Sequence, residues 1–484
     1  MEKLIFDLDG TLWDTKDSYL YAYDKLVKEF NISPRLPDEK ILEYMGIRLD
    51  LLLDGLFKGL DNLEEIGKRA VYYSIEYVIN HPKLFSKDMK SLFNKLSQNY
   101  ELYIISNCPE AYLDTFINIS GVRKYLKNYF TLDDGEKDKH LELITNNYTD
   151  KALFIGDSPF DYESIKNHSK IYFIYAKYGY IKTDTYDYHI DNLDDIEIVL
   201  NKINKKERMI DGMNYQIFSK NDTNLTLMDN DGKLEFGFME IADYTDFREV
   251  LKRLKSFLGN RDVIGPINAK TWYSYRISLD SFDFRLFPDS INDLEVLNIL
   301  KDEGFKVFQT YSSNLAYIDE RIERAAFRTR IDDSYKIIKI HGSECYGYIN
   351  ELYDISKRVF ERADYYKDIS LNDFKDIYLE GLDSINPDLI LVYIHNKLVA
   401  FHFGYNDPLN RFYVSKTIGV DPLNRNTKAM MILAKELILT TRGYGHDKIL
   451  YHFQNDRTGT ASNAYKHYLI KKKTFGLLRY SYEG

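Results

Sequence analysis

Two aspartates two residues apart, at the end of an apolar run in Phe6-Asp7-Leu8-Asp9-Gly10-Thr11, are the strongest chemical signal in the chain. Lys3 to Leu8 reads as a short buried parallel strand, and period-two geometry puts Asp7 and Asp9 on one face of it. Gly10 and Thr11 then open a tight turn. Carboxylates at the carboxyl end of such a strand lie where open α/β sheets bind ligands. Buried together they repel, and a divalent cation is the economical neutraliser. A lone Asp-x-Asp reads as readily as a plain turn, but a second acidic strand end answers this one. Ile155-Gly156-Asp157-Ser158 closes another apolar run, with Asp161 four residues after Asp157. A further run, Tyr100 to Ser106, ends on a hydroxyl. If these strand ends open on one side, Asp7, Asp9 and Asp157 converge, and an all-oxygen set of this kind suits Mg²⁺.

The elements that must position these groups follow from the hydrophobic pattern. Apolar runs at Tyr100–Ser106, Ala152–Gly156 and Ile171–Ala176 alternate with helical spacing at 110–118, 139–146 and 162–167. That alternation predicts an α/β fold with a doubly wound parallel sheet. A helical block from about Thr15 to Leu96 interrupts it and is read as an inserted cap. The polar, charged stretch Asn201 to Asn214 is read as a linker. Beyond it, short alternating strands fill 214–241, and helical spacing returns at Phe247–Leu258 and Leu294–Glu303. Strands are expected from Leu389, at Leu398–Phe403 after a turn at His395-Asn396, at Phe412–Val420 and at Lys448–Phe453. A helix is expected from about Thr427 to Thr441, and a last one over Ala461, Ala464, Tyr465 and Tyr468. Weak two-fold similarity relates the two halves of this region.

Composition narrows the partners. The chain has 484 residues, and 65 basic against 75 acidic side chains give a net charge of −10, which argues against a nucleic-acid partner. Its 44% hydrophobic and 29% charged content is that of a folded globular protein. The two cysteines, Cys108 and Cys345, are too far apart in sequence for a disulfide framework or zinc site, which suggests a reducing cytoplasmic setting. No targeting segment is evident, and no run approaches the ~18 apolar residues of a membrane helix. Oligomeric state is not legible.

The ordered set FDLDGT, IISN, a lysine-bearing segment and IGDSPFD resembles the haloacid dehalogenase-type phosphatases over residues 1–205, and the insertion after the first motif resembles the small helical cap of the phosphoglycolate-phosphatase-like branch. The resemblance implies Asp7 as nucleophile, Asp9 as general acid and base, Ser106 as a phosphoryl hydrogen-bonding group and a lysine as its electrostatic partner. Lys137 and Lys139 compete for that last role, and the apolar positions Leu141, Leu143 and Ile144 favour Lys137. Asp157 and Asp7 would hold Mg²⁺ with the Asp9 backbone carbonyl, and Asp161 would serve as an outer or weak ligand. The substrate would be a small phosphorylated metabolite. Phosphomutase chemistry uses the same residues. In the cap, Tyr44-Met45-Gly46-Ile47-Arg48 is the segment expected to face the site, with Arg48 either binding an anionic tail or simply solvated. Asn107 is expected to shape the pocket, and Cys108 to be a buried filler.

In the second half, a strand ending at Val420, the turn Asp421 to Arg425, and Thr427, Lys428 and Ala429 opening a helix form the pattern of an anion site at a helix N-terminus. This order resembles the GNAT acyltransferases over 339–484, with 206–338 as a degenerate tandem copy. The resemblance implies acetyl-CoA, or another acyl-CoA or acyl-carrier donor, bound by Arg425, Thr427, Lys428 and Ala429. It also implies Tyr465 as the acid for the leaving thiolate. The family's turn glycines are absent after Arg425. Glu344, His402 and Asn455 are candidate bases. Gly265-Pro266-Ile267-Asn268 and Trp272 to Arg276 either line an acceptor groove or knit the two halves together. The combined expectation is a bifunctional phosphatase and acyltransferase. Its rival is a phosphatase fused to a non-catalytic binding domain.

Overall fold

The computed structural model describes residues 2–47, 49–60, 62–168, 170–210, 212–284, 292–379, 385–457 and 469–482. The chain forms two compact units, one of residues 1–207 with 216–224, the other of 208–215 with 225–484.

The first unit is built on six parallel strands: β1 (Glu2–Phe6), β2 (Tyr100–Ile105), β3 (Leu126–Phe130), β4 (Ala152–Gly156), β5 (Ile171–Ala176) and β6 (Tyr188–Ile190). Their order is β3-β2-β1-β4-β5-β6. β1 therefore lies between β2 and β4, so the three motif-bearing strand ends are neighbours. Continuous apolar runs suit strands covered on both faces. One face packs Ile5, Phe154 and Phe173 against Leu141 and Ile144 of helix α7 (Lys137–Ile144) and Ile165 of α8 (Pro159–Ile165). The other packs Phe6 against Phe93, with ring centroids 5.2 Å apart.

The cap comprises α1 (Lys16–Glu29), α2 (Asp38–Leu42), α3 (Leu49–Leu56) and α4 (Leu63–Asn80). Its own core gathers Tyr23, Leu26, Ile41, Leu52, Phe57 and Ile66. The expected cap boundary at Leu96 is too late. α5 (Met89–Leu96) carries Phe93 and belongs to the sheet layer, because its apolar face has Phe6 to cover. The expected linker is also corrected. Residues 201–210 continue helix α9 (Ile196–Ile210), whose Ile196, Leu200, Ile203 and Ile210 are buried at helical spacing among lysines, of which Lys206 is itself buried. The division between the two units falls within this helix.

The second unit is a mixed sheet. From one edge its strands run 335–341, 388–394, 397–407, 412–420, 448–455, 306–317, 469–480, 263–265 and 233–240. The hairpin strands Asn214–Lys220 and Thr223–Asn230 contain the unit boundaries. Two neighbouring pairs in this order are parallel, Phe412–Val420 with Lys448–Asn455 and Lys233–Glu240 with Val263–Gly265. Each is bridged by a crossover helix, Ala429–Gly443 and Tyr244–Leu258 respectively. The two expected halves, 206–338 and 339–484, are not separable bodies. Lys306–Tyr317, from the first half, pairs with Lys448–Asn455 and Leu469–Tyr480 of the second, and Leu469–Tyr480 pairs with Val263–Gly265 of the first. Each half thus completes the other's sheet. Residues 272–276, whose aromatic pattern also reads as a strand, form none. Trp272 instead donates its indole N–H to the Lys367 carbonyl at 2.9 Å and packs edge-on against Phe360 and Phe374, a knitting role.

Candidate active site

Asp7 follows β1 directly, and its backbone N–H donates to the Ile155 carbonyl of β4 at 2.8 Å. This locks the first acidic strand end beside the second. Asp7, Asp157 and Asp161 are all buried, with one carboxylate oxygen from each lying within 4.8 Å of the others. Lys137, at the first position of α7, reaches into this group. Its Nζ donates to Asp7 Oδ1 at 3.0 Å and to Asp161 Oδ1 at 2.7 Å. Burial disfavours its charge, but Asp161 and Asp7 outweigh that and hold its pKa above the ordinary lysine value. Lys139 is exposed. The helix register explains the difference. Lys137 shares its face with the buried Leu141 and Ile144, whereas Leu143, expected on that face, is 69% exposed and lies four residues beyond Lys139.

The other Asp161 oxygen is occupied locally. Oδ2 accepts from the Ser158 N–H at 3.1 Å and the Ser158 hydroxyl at 2.7 Å, a capping box that starts α8. Asp161 therefore positions Lys137 and offers little to a cation. Asp157 Oδ2 accepts from the Tyr180 N–H at 2.7 Å. Gly10, at φ +80°, lies so close that a Cβ there would stand 2.1 Å from Asp157 Oδ2, and one on Gly179 would stand 2.2 Å from Asp157 Cβ. Only glycine permits this cradle.

One lysine does not balance three buried carboxylates. Burial, with repulsion from Asp161, raises Asp7 to about 7 against the pull of Lys137. Burial, Asp161 and Asp7 together push Asp157 well above the carboxylate range. A divalent cation would relieve both shifts, and the hard oxygen donors fit Mg²⁺.

Asp9 stands apart from this group. Its Oδ1 accepts from the Thr15 hydroxyl at 2.8 Å and the Tyr112 hydroxyl at 3.2 Å. Burial raises its carboxyl to about 6, against those two hydrogen bonds. Its side chain is thus held by a set of partners separate from those of Asp7 and Asp157. Ser106, just beyond β2, is buried and held by a 3.1 Å bond from its N–H to the Phe130 carbonyl. Its hydroxyl accepts from the Cys108 N–H at 3.3 Å. Burial and Asp9 push the Cys108 thiol well up, which suits a filler and disfavours a nucleophile.

Asp7, Asp9 and Ser106 line one cavity, which continues into the cap past Tyr19, Met45 and Gly46. Thr15, Tyr112 and Tyr180 escaped the sequence reading. Thr15 begins the helical pattern but has no motif around it, and the two tyrosines reach the site only through tertiary packing. Arg48 and Tyr465 lie outside the described residues.

Residues 4–176 match the model of the haloacid dehalogenase-like hydrolase family. The N-terminal unit holds a haloacid dehalogenase-like hydrolase domain. This domain is 26% identical over 193 residues to the phosphoglycolate phosphatase of Aquifex aeolicus (strain VF5), covering 38% of this chain and 89% of that protein. Among solved structures, a predicted phosphoglycolate phosphatase from Haemophilus somnus 129pt matches with a TM-score of 0.38 and 18% identity, covering 41% of this chain and 98% of that one. A haloacid dehalogenase-like family hydrolase from Streptococcus pneumoniae matches with a TM-score of 0.36 and 19% identity, covering 41% and 98%.

The second unit offers a contrast at its expected anion site. The Lys428 N–H donates to the Tyr335 hydroxyl at 3.2 Å, and the Ala429 N–H donates to Thr427 Oγ1 at 3.3 Å. The Thr427 hydroxyl donates to the Asn424 carbonyl at 2.6 Å, and Lys428 Nζ lies 3.3 Å from Asp332. Arg425 is exposed. Of the candidate bases, His402 is fully buried against Ser415 at 3.0 Å, Glu344 is exposed, and Asn455 is engaged with Arg457 and Asp364. The buried face of the crossover helix is Ala429, Ile432, Leu433, Glu436 and Leu437. Met430 lies off that face and is 38% exposed. Among the described residues, no helix is long and apolar enough to cross a membrane.

Proposed function

We propose that the N-terminal unit is a Mg²⁺-dependent phosphohydrolase acting on a small phosphorylated metabolite. The observation that carries this reading is the division of labour between Asp7 and Asp9. The first sits among the cation-fitting carboxylates and Lys137, while the second is hydrogen-bonded separately by Thr15 and Tyr112. Asp7 and Asp157, with the Asp9 carbonyl, would hold the ion, which when bound would neutralise phosphoryl charge.

The chemistry of the chain's own groups follows. An Asp7 carboxylate oxygen attacks phosphorus, the bond to the leaving oxygen breaks, and Asp9 gives that oxygen its proton. The product is an aspartyl-phosphate and an alcohol. Asp9, now a carboxylate, takes a proton from water as the water oxygen attacks phosphorus. Inorganic phosphate leaves and Asp7 is restored. Lys137 and Ser106 hold the phosphoryl oxygens throughout. The cap limits access of bulk water. A screen of phosphate esters with Mg²⁺ against EDTA tests this. Phosphate release abolished by EDTA and restored by Mg²⁺ is expected, and metal-independent release or none refutes it. A phosphomutase would need a bisphosphate activator and would release little phosphate.

For the second unit, the strand, turn and helix order favours an acyltransferase using acetyl-CoA or another acyl donor. The internal use of the Lys428 and Ala429 N–H groups favours a non-catalytic binding module, the reading we prefer. A melting-temperature rise with acetyl-CoA would restore the transferase reading, because a ligand of the native state stabilises it by mass action.

A further inference from the structure

The cavity above Asp7 and Asp9 is walled on its cap side largely by apolar side chains. It holds about 950 Å³ of empty space, including its open mouth. Its cap wall comes from one face each of α1, α3 and α4, with Leu26, Leu52, Leu56, Phe57 and Val71 among the lining. Two tyrosines that line it have their hydroxyls turned to the protein. Tyr19 donates to the Tyr44 carbonyl at 3.3 Å, and the Tyr23 hydroxyl accepts from the Leu36 N–H at 3.4 Å. They therefore offer ring surface to the cavity. Among the described residues, no Lys, Arg or His lines it. Lys137 pairs with Asp7 and Asp161 and, on the reading above, serves the phosphoryl group rather than the leaving group.

Among the described lining residues, a leaving group with its own carboxylate or second phosphate would find no cation to replace its lost hydration, at heavy cost. A sugar would find few free donors and acceptors beyond Ser74 and Asn107. An alkyl or aryl group would instead gain from burial against the cap. We infer that this site, on the phosphohydrolase reading above, selects phosphate monoesters of uncharged apolar alcohols, with the alkyl or aryl group seated in the cap.

The test measures kcat/KM with Mg²⁺ for ethyl, butyl, hexyl and octyl phosphate, phenyl phosphate, glucose 6-phosphate and phosphoglycolate. Each added methylene that is buried is expected to raise kcat/KM by roughly fourfold until the cavity is filled. Phenyl phosphate is expected to exceed glucose 6-phosphate and phosphoglycolate. A flat alkyl series, or preference for phosphoglycolate lost in Arg48→Gln, overturns the inference and leaves the phosphohydrolase reading standing. No release from any ester overturns both. Ala70 also lines the cavity, and Ala70→Leu should move the chain-length optimum to a shorter ester. The octyl-to-ethyl ratio, taken on one sample, cancels any loss of folded enzyme. An optimum that does not move places the alkyl chain elsewhere and overturns the inference.

Discussion

Two strand ends in this molecule look alike in sequence and behave differently. Phe6 to Thr11 and Gly419 to Ala429 each leave a buried strand, turn through polar residues and lead towards a helix. At the first, polar groups from several separate segments meet with charge left over: Asp7, Asp157 and Asp161 around a single Lys137. At the second, the turn satisfies itself. Asp421 caps the Leu423 N–H at 3.0 Å and pairs with Arg358 at 2.8 Å, while Thr427 and Tyr335 occupy the helix's first N–H groups. A ligand site is recognised by unmet electrostatic demand, and the residue types alone do not reveal it.

That contrast can be broken most sharply at Asp7. Asp7→Asn should lower phosphate release by about 10⁴-fold or more, as loss of a nucleophile does, while circular dichroism stays unchanged. Lys428→Ala, at the second strand end, should leave release untouched. Lys137→Met should cost about 10²–10³ in kcat, since it removes the positive partner of the phosphoryl group. A smaller loss would mean that the cation alone carries that charge. Gly10→Ala forces the Asp157 carboxylate aside, and about 10²-fold lower kcat with weaker Mg²⁺ activation is expected.

Stability effects sharpen the other side. Burial lowers His402 to about 3, below the ~6.5 of an unfolded chain. Between these values the unfolded state binds the extra proton. The contribution is therefore complete above pH ~6.5 and is lost as pH falls, by about 1.4 kcal/mol per pH unit. Denaturant titrations of His402→Gln from pH 7 to pH 4 should show a shallower decline than the parent chain. Thr427→Ala, which removes a helix-start hydrogen bond, should cost only about 1 kcal/mol in the same titrations.

The first site was largely legible because each of its strands is a continuous apolar run that ends on the functional side chain. Burial and chemistry were written in adjacent letters. Lys137 was legible from helix register, although Leu143 was placed on the wrong face. Thr15, Tyr112 and Tyr180 were not legible, since nothing in their local sequence differs from that of other threonines and tyrosines. The charged run at 201–210 hid a helix because its buried isoleucines are spaced among lysines whose stems pack. Lys206 is buried, with its Nζ 5.6 Å from the Tyr188 ring centroid. In the second unit the strands near 389–394, 398–403, 412–420 and 448–453 were read, Tyr335–His341 and Leu469–Tyr480 were not, and the exchange of Lys306–Tyr317 and Leu469–Tyr480 between halves could not be. Pairing partners far apart in the chain leave no mark on either strand's own pattern.

That exchange sets an order of events during synthesis. The strand Val263–Gly265 awaits Leu469–Tyr480 as its antiparallel neighbour, and Lys306–Tyr317 has both of its neighbours later in the chain. Until residue 480 has left the ribosome, the first half presents open strand edges with no partner. The N-terminal unit draws on residues only as far as 224 and can close long before that. The nascent chain therefore carries a finished hydrolase domain ahead of an unfinished sheet.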